Sequence, residues 1–159
     1  MRILLPLDGS TFSDAAANEV ASRPWPAASE LKVVTAFQVP VTPTPEVWAL
    51  PPEYFETIER TVRESAQAVV DVAVAKLRVA LDKAVSVTGK VLAGPPREAI
   101  LDEADRWKAD LIVMGSHGYG AWQRFLLGSV SQAVVAHAKC SVEVVHCRWD
   151  HGKENFKAA

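Results

Sequence analysis

Five short apolar runs alternate along the chain with segments of helical periodicity, and this alternation is what most limits the possible folds. Each run is almost continuously apolar, which is typical of strands buried on both faces of a parallel sheet. Helices that connect such strands cover the two faces of the sheet. The sequence therefore predicts a doubly wound α/β fold with a five-stranded parallel sheet. The predicted strands are 3–7, 31–39, 85–93, 110–114 and 142–147, and the predicted helices are 13–23, a long one through 58–81, 95–107 and 129–138.

The size and charge of the chain fit one small domain. It has 159 residues, of which 49% are hydrophobic, and a formal net charge of −2. We expect a domain over residues 1–147 and a polar tail at 148–159 that frays. Because there is no long basic run, nucleic acid is not an expected partner.

The start of the chain and its cysteines favour a cytoplasmic protein. Met1-Arg2 leads directly into the first strand, so no signal peptide is predicted, and no apolar run is long enough to span a membrane. Cys140 and Cys147 do not make a disulfide framework. They cluster with His137 and His146, but His146 and Cys147 are predicted to point to opposite faces of the last strand, which favours packing over a zinc site.

The apolar run at 111–114 ends in a glycine-rich stretch. Gly115 and Gly118 follow the run, and Gly128-Ser129 opens the next helical segment after nine further residues. Glycine permits unusual φ/ψ values and lets a bulky anion approach closely, while a helix N-terminus adds partial positive charge. Phosphate binding fits this stretch, and a plain strand–helix connection with Ser129 as the helix cap fits it equally well.

Two familiar phosphate-binding motifs are absent. The Gly-Lys pair Gly89-Lys90 runs into the apolar Val91-Leu92 instead of into Ser or Thr and a helix, so it does not form a Walker A loop. The first strand–helix turn is Leu7-Asp8-Gly9-Ser10, which lacks the G-x-G-x-x-G pattern of dinucleotide-binding folds.

The spacing of Gly115, Gly118 and Gly128-Ser129 resembles the nucleotide loop of the universal stress protein family, specifically of its ATP-binding branch. Further blocks follow in the order of that family. They are residues 6–10, Gly94-Pro95-Pro96 with Glu98-Ala99-Ile100, and residues 140–145. The resemblance covers about residues 1–147, which is nearly the whole chain.

This resemblance implies an adenine nucleotide alpha hydrolase-like fold with strand order 3-2-1-4-5 and a reversal between strands one and four. Ligands of such sheets bind beyond the carboxyl ends of the strands at the reversal. Asp8 and Gly115 follow those two strands, so a carboxylate and a phosphate loop should flank one cleft. The resemblance also implies ATP, ADP or AMP as ligand, with or without Mg²⁺ on the phosphates. It places the last strand at the sheet edge, and because Val142 to Val145 is apolar, we expect a homodimer through this strand.

Each candidate ligand residue has a functional and a structural interpretation. Asp8 would accept hydrogen bonds from ribose hydroxyls, or would stabilise a turn. Ser129 and Ser131 would bind phosphate oxygens, or would only cap the helix. His117 and Arg124 would meet the phosphate charge, or would be solvated surface groups. The complete predicted nucleotide site is Pro6, Leu7, Asp8, Ala36, Gln38, Gly94, Met114, Gly115, Ser116, His117, Gly118, Arg124, Gly128, Ser129, Val130 and Ser131.

The predicted adenine side departs from the family pattern. The second strand of the family commonly ends in His-Val beside adenine, whereas this chain has Phe37-Gln38. Gln38 either hydrogen-bonds the base or disrupts the apolar slot, and Ala36 and Met114 either flank adenine or pack in the core. The proline-rich segment at 40–52 is either a lid beside the cleft or an ordinary loop.

Three functions are left open by the sequence. They are a nucleotide-binding regulatory dimer in a stress or energy-state response, a slow ATPase or autokinase, and a module that acts through its surface alone. The glycines and Asp8 disfavour the last. Since no acidic pair for Mg²⁺ and no Asp-Asn catalytic loop is found, binding without efficient turnover is favoured, and no catalytic residue is assigned.

Overall fold

A computed structural model describes residues 1–39, 52–118 and 127–146, and within them the predicted alternation of strand and helix is confirmed. The elements are β1 (Arg2–Pro6), α1 (Thr11–Ser22), β2 (Glu30–Phe37), α2 (Pro52–Ala80), β3 (Ser86–Ala93), α3 (Pro96–Trp107), β4 (Leu111–Gly115), α4 (Ser129–His137) and β5 (Ser141–Val145). The proline-rich residues 40–51, Arg124, Cys147 and the predicted tail lie outside the described residues.

Several boundaries differ from the prediction. Helix α1 begins at Thr11 rather than Ser13, because the Ser10 hydroxyl caps it by accepting a hydrogen bond from Ser13 N at 3.2 Å. Strand β2 ends at Phe37 instead of residue 39. Helix α2 begins at Pro52, six residues before the apolar periodicity starts at residue 58, and a proline at a helix start needs no hydrogen bond from its missing N–H.

All five strands are parallel, in the order β3-β2-β1-β4-β5, which confirms the expected 3-2-1-4-5 arrangement. Strand β1 lies at the centre, with Ile3 paired to Leu31 of β2 on one side and to Leu111 of β4 on the other. The chain winds outward from β1 in both directions, so the connections after β1 and β4 diverge. That divergence leaves a cleft beyond their carboxyl ends.

The sheet separates two apolar cores, as expected for helices on both faces. On one face Ile3, Leu5 and Val113 pack against α1 and α2. On the other face Leu4 and Ile112 pack against α3 and α4. The alternating side chains of central strands enter both cores, which explains why these strands are apolar throughout.

The long helix α2 is amphipathic. Val70 and Val74 are buried, whereas Val69 and Ala73 pack at the margin of the core. Gly89 of β3 lies under this face, because a Cβ there would be 2.4 Å from the Val70 side chain. Within the described ranges, no helix is long and apolar enough to cross a membrane.

Candidate functional site

A cleft of about 800 Å³ opens beyond the carboxyl ends of β1 and β4, where the strand order reverses. It collects twelve of the sixteen residues proposed from the sequence: Pro6, Leu7, Asp8, Ala36, Met114, Gly115, His117, Gly118, Gly128, Ser129, Val130 and Ser131. Three proposed residues do not line it, namely Gln38, Gly94 and Ser116. Its lining also contains residues that sequence reasoning missed, which are Ser13, Pro96, Ile100, Leu127 and Gln132.

The N-terminus of α4 forms one wall of the cleft. The helix begins at Ser129, and its N-cap is Gly128, which provides no side-chain hydrogen bond. The predicted role of Ser129 as a cap is therefore wrong, because Ser129 is already the first helical residue. The N–H groups of the first turn have no acceptor within a helix, and together they carry partial positive charge. This wall suits an anion.

The three glycines of the stretch are needed for close approach rather than for unusual backbone angles. Positive φ values occur at Gly9 and Gly94, and not at the three glycines 115, 118 and 128, so that part of the prediction is wrong. A Cβ on Gly115 would lie 2.6 Å from the Phe12 carbonyl oxygen, which means that Gly115 lets α1 approach β4.

Gly118 and Gly128 face the cleft from its other side. A Cβ on Gly118 would lie 2.7 Å from Asp8 Oδ2, and one on Gly128 would lie 3.3 Å from His117 Cα. Gly128 N also donates a hydrogen bond to Ser116 O at 2.8 Å, which fixes the start of α4 against the end of β4. The two glycines thus let neighbouring groups come close, namely the Asp8 carboxylate at Gly118 and the backbone of residues 116–118 at Gly128.

Asp8 stands opposite the α4 N-terminus, across Gly118. Its Oδ1 accepts a hydrogen bond from Ser10 N at 3.0 Å, so the residue does stabilise the turn that leads into α1. Its side chain nevertheless lines the cleft. The turn and ligand interpretations are compatible, because one oxygen holds the carboxylate in place at the cleft wall.

The polar side chains around the end of β4 hold one another in place. Ser131 is buried and its hydroxyl donates to Gly115 O at 2.9 Å, which ties α4 to β4. Ser116 is also buried, and its hydroxyl lies 3.1 Å from Nδ1 of His117. The His117 ring packs against Phe12 with 5.2 Å between ring centroids. Only His117 of the 116–117 pair lines the cleft.

The opposite end of the cleft is apolar. Ala36 and Met114 come from the strand ends, and Ile100 and Pro96 come from the first turns of α3. Gln38 is exposed and outside the lining. The sequence does signal Ile100, since the 94–100 block places the start of α3 directly after β3, at the carboxyl edge of the sheet. An apolar slot of this kind accepts a flat ring.

Fold and cleft together define an α/β protein with a cleft at its topological switch point. The sequence profile of the universal stress protein family matches residues 1–146, and the chain belongs to this family. A universal stress protein of Thermus aquaticus is 38% identical over 143 residues, covering 90% of this chain and 96% of the relative. Another, from Methanocaldococcus jannaschii, is 34% identical over 148 residues, covering 91% and 81%.

Solved structures share the fold. The protein MJ0577 superposes with a TM-score of 0.78 at 24% identity, covering 92% of this chain and 96% of that one. A universal stress protein in complex with cAMP gives a TM-score of 0.61 at 24% identity, covering 92% and 97%. An Arabidopsis thaliana family member with AMP bound gives 0.60 at 18% identity, covering 98% and 97%.

Proposed function

We propose that this protein is a regulatory adenine-nucleotide-binding member of the ATP-binding branch of its family. The observation that carries the proposal is the juxtaposition of three features in one cleft. They are a helix N-terminus whose N-cap residue, Gly128, provides no side-chain hydrogen bond, a fixed carboxylate and an apolar slot. These three surfaces match the phosphates, ribose and base of a nucleotide. The relatives of the same fold with bound AMP and cAMP support this match.

In the proposed complex the phosphates lie on the backbone of Gly118 and Gly128 and on the first turn of α4. There the N–H groups donate hydrogen bonds and the helix dipole favours negative charge. Asp8 accepts hydrogen bonds from the ribose hydroxyls, and the adenine ring lies in the slot beside Ala36 and Met114. We further propose that the side chains of His117 and Arg124 contribute to phosphate binding.

Regulation is preferred over rapid turnover. In the described part of the cleft lining, Asp8 is the only carboxylate, whereas phosphoryl transfer needs a positioned metal ion and an oriented nucleophile. Any Mg²⁺ would therefore be held mainly by the phosphates. We further propose that the bound nucleotide acts in a cytoplasmic stress or energy-state response. A slow ATPase or autokinase at the same site is the alternative.

The identity of the nucleotide can be tested on protein purified quickly without added nucleotide. Denaturation should release AMP, ADP or ATP, identified by chromatography and mass spectrometry. Recovery of a guanine or pyrimidine nucleotide instead would contradict the assignment of the apolar slot to adenine.

Asp8→Ala is expected to weaken nucleotide binding by about 1.5–3 kcal/mol for each ribose hydrogen bond that is lost. Calorimetry of wild type and variant with ATP and with 2′,3′-dideoxy-ATP forms a thermodynamic cycle. If Asp8 binds the ribose, the two losses overlap, and the variant should bind both ligands almost equally. Asp14→Ala, an exposed carboxylate in the first turn of α1, is the matched control. Fully additive losses would show that Asp8 acts only in the turn.

We also propose that β5 forms a symmetric homodimer. It is the edge strand next to β4, and Val142 and Val144 are only partly buried. The carboxylate of Glu143 is paired with Arg23, which donates a hydrogen bond to each of its oxygens at 2.6 Å. This pairing offsets the charge of Glu143 at the edge strand. An apolar edge with unpaired N–H groups favours pairing with a second copy.

Val144→Pro is expected to shift the protein from dimer to monomer. The carbonyl of Val145 faces β4, since it accepts from Ser116 N at 2.9 Å, so the N–H of the preceding residue, Val144, faces outward. Proline removes that donor, whereas the control Val144→Ala keeps it. Sedimentation should give a dimeric wild type and control and a monomeric proline variant. A monomeric wild type at micromolar concentration would refute the dimer, and a dimeric proline variant would place the contact elsewhere.

A further inference from the structure

A buried carboxylate on α3 is shared by three cations, on the face of the sheet away from α1 and α2. The side chain of Glu103 is only 2% exposed. Its Oε1 accepts from Lys32 Nζ at 3.0 Å, its Oε2 accepts from Lys90 Nζ at 2.9 Å, and Arg106 also pairs with Oε2. We call these four residues the Glu103 cluster. None of them lines the nucleotide cleft, so the chemistry of the Glu103 cluster is independent of the proposed nucleotide function.

The Glu103 cluster carries more positive than negative charge. One carboxylate cannot neutralise three cations, and arginine does not lose its proton in proteins. Loss of a proton from one of the two lysines reduces this excess of positive charge. Burial lowers the pKa of Lys90, and the charge of Arg106 lowers it further. Burial likewise lowers the pKa of Lys32, followed by the charges of Lys90 and Arg106, while Glu30 acts in the opposite direction.

Lys90 is the amine that a reagent can reach. The side chain of Lys32 is 16% exposed and its ammonium lies 4.2 Å from the centre of the Trp107 ring, a contact that favours the charged form. The side chain of Lys90 is 39% exposed, and that of the neighbouring Arg106 is 64% exposed. The Lys90 amino group therefore stands beside an accessible guanidinium.

We propose that Lys90 is a site of Nε-acylation, and that the acyl donor is an acyl phosphate. The guanidinium of Arg106 suits a phosphoryl group because its planar fork binds two phosphate oxygens at once. That contact holds the carbonyl carbon of the donor next to Lys90 Nζ. An acyl thioester offers no such group at its reactive end.

The step is an acyl transfer without any change in oxidation state. The lone pair of neutral Nζ attacks the carbonyl carbon, a C–N bond forms, and the C–O bond to phosphorus-bound oxygen breaks. Inorganic phosphate leaves with the electron pair, and the surplus proton on nitrogen passes to phosphate or water. The amide product is neutral and cannot take up a proton, so Lys90 can no longer carry a positive charge beside Glu103.

The test is site-resolved acetylation of the purified chain by acetyl phosphate, followed by proteolysis and mass spectrometry. Lys139 is the matched control within the same molecule, because it is 79% exposed and its hydrogen bond to Asp105 raises its pKa. Lys90 should react faster than Lys139, because burial lowers the pKa of Lys90 whereas the hydrogen bond to Asp105 raises that of Lys139. Equal rates, or faster reaction at the more exposed Lys139, would overturn the proposal.

Arg106→Gln tests the choice of donor. The variant should lose more of its Lys90 rate with acetyl phosphate than with p-nitrophenyl acetate, a donor without a phosphoryl group. An equal loss with both donors would refute the phosphate contact. The comparison of Lys90 with Lys139 in the wild type needs no variant, so the proposal stays testable even if Arg106→Gln does not fold.

Discussion

Replacing Glu103 by glutamine should lower the free energy of unfolding by about 3–5 kcal/mol, the usual cost of removing one partner of a buried ion pair. The substitution leaves Lys32, Lys90 and Arg106 facing one another without the carboxylate that accepts from them. Because Gln is nearly isosteric, the loss reports charge rather than packing. Urea unfolding followed by circular dichroism measures it.

Glu98→Gln on the same helix is the control for this prediction. Glu98 pairs with Arg97 at 2.8 Å, but both side chains are largely exposed. We expect a much smaller change there than at position 103, since solvent screens exposed ion pairs. A similar effect at positions 98 and 103 would contradict the view that the Glu103 cluster organises this face of the sheet.

The double substitution Gly118→Val and Gly128→Val should reduce nucleotide affinity by about a hundredfold or more. The added side chains keep the phosphates away from the backbone, so that at least two phosphate hydrogen bonds are lost. Each is worth about 1.5–3 kcal/mol. At position 118 the new side chain also displaces the Asp8 carboxylate, which lies 2.7 Å from the Cβ position. Calorimetry with ATP measures the affinity, and circular dichroism verifies the fold.

Ala75→Val, on the exposed face of α2, is the matched control for added bulk. It should bind ATP like the wild type. If the double variant binds ATP like the wild type, the phosphates do not lie on these two glycines, and the assignment of the phosphate site is wrong.

The sequence is sufficient to predict the elements of the fold because buried parallel strands and amphipathic helices differ in local pattern. It is not sufficient for their order. Right-handed crossovers restrict the arrangements of five strands without selecting one, so the 3-2-1-4-5 order rests on the family resemblance. The predicted start of α1 is wrong because the cap at Ser10 precedes the first apolar residues that define the helical period.

Prediction of the cleft is limited by contacts between distant parts of the chain. The local pattern marks Gly115 as a phosphate glycine, but its closest neighbour is the backbone of α1, about a hundred residues earlier in sequence. Ser131 bonds to Gly115 O, sixteen residues away. Glu103 gives no signal at all in the sequence, because Lys32 and Lys90 are 71 and 13 residues distant and meet it only once β2 and β3 pair.

The most direct measurement of the central claim is titration calorimetry of the unmodified protein with ATP, ADP, AMP and GTP, with and without Mg²⁺. The cleft predicts saturable binding of at least one adenine nucleotide at one site per chain, and weaker binding of GTP. If no adenine nucleotide gives a detectable heat of binding, with or without Mg²⁺, the claim that the cleft binds adenine nucleotide is contradicted.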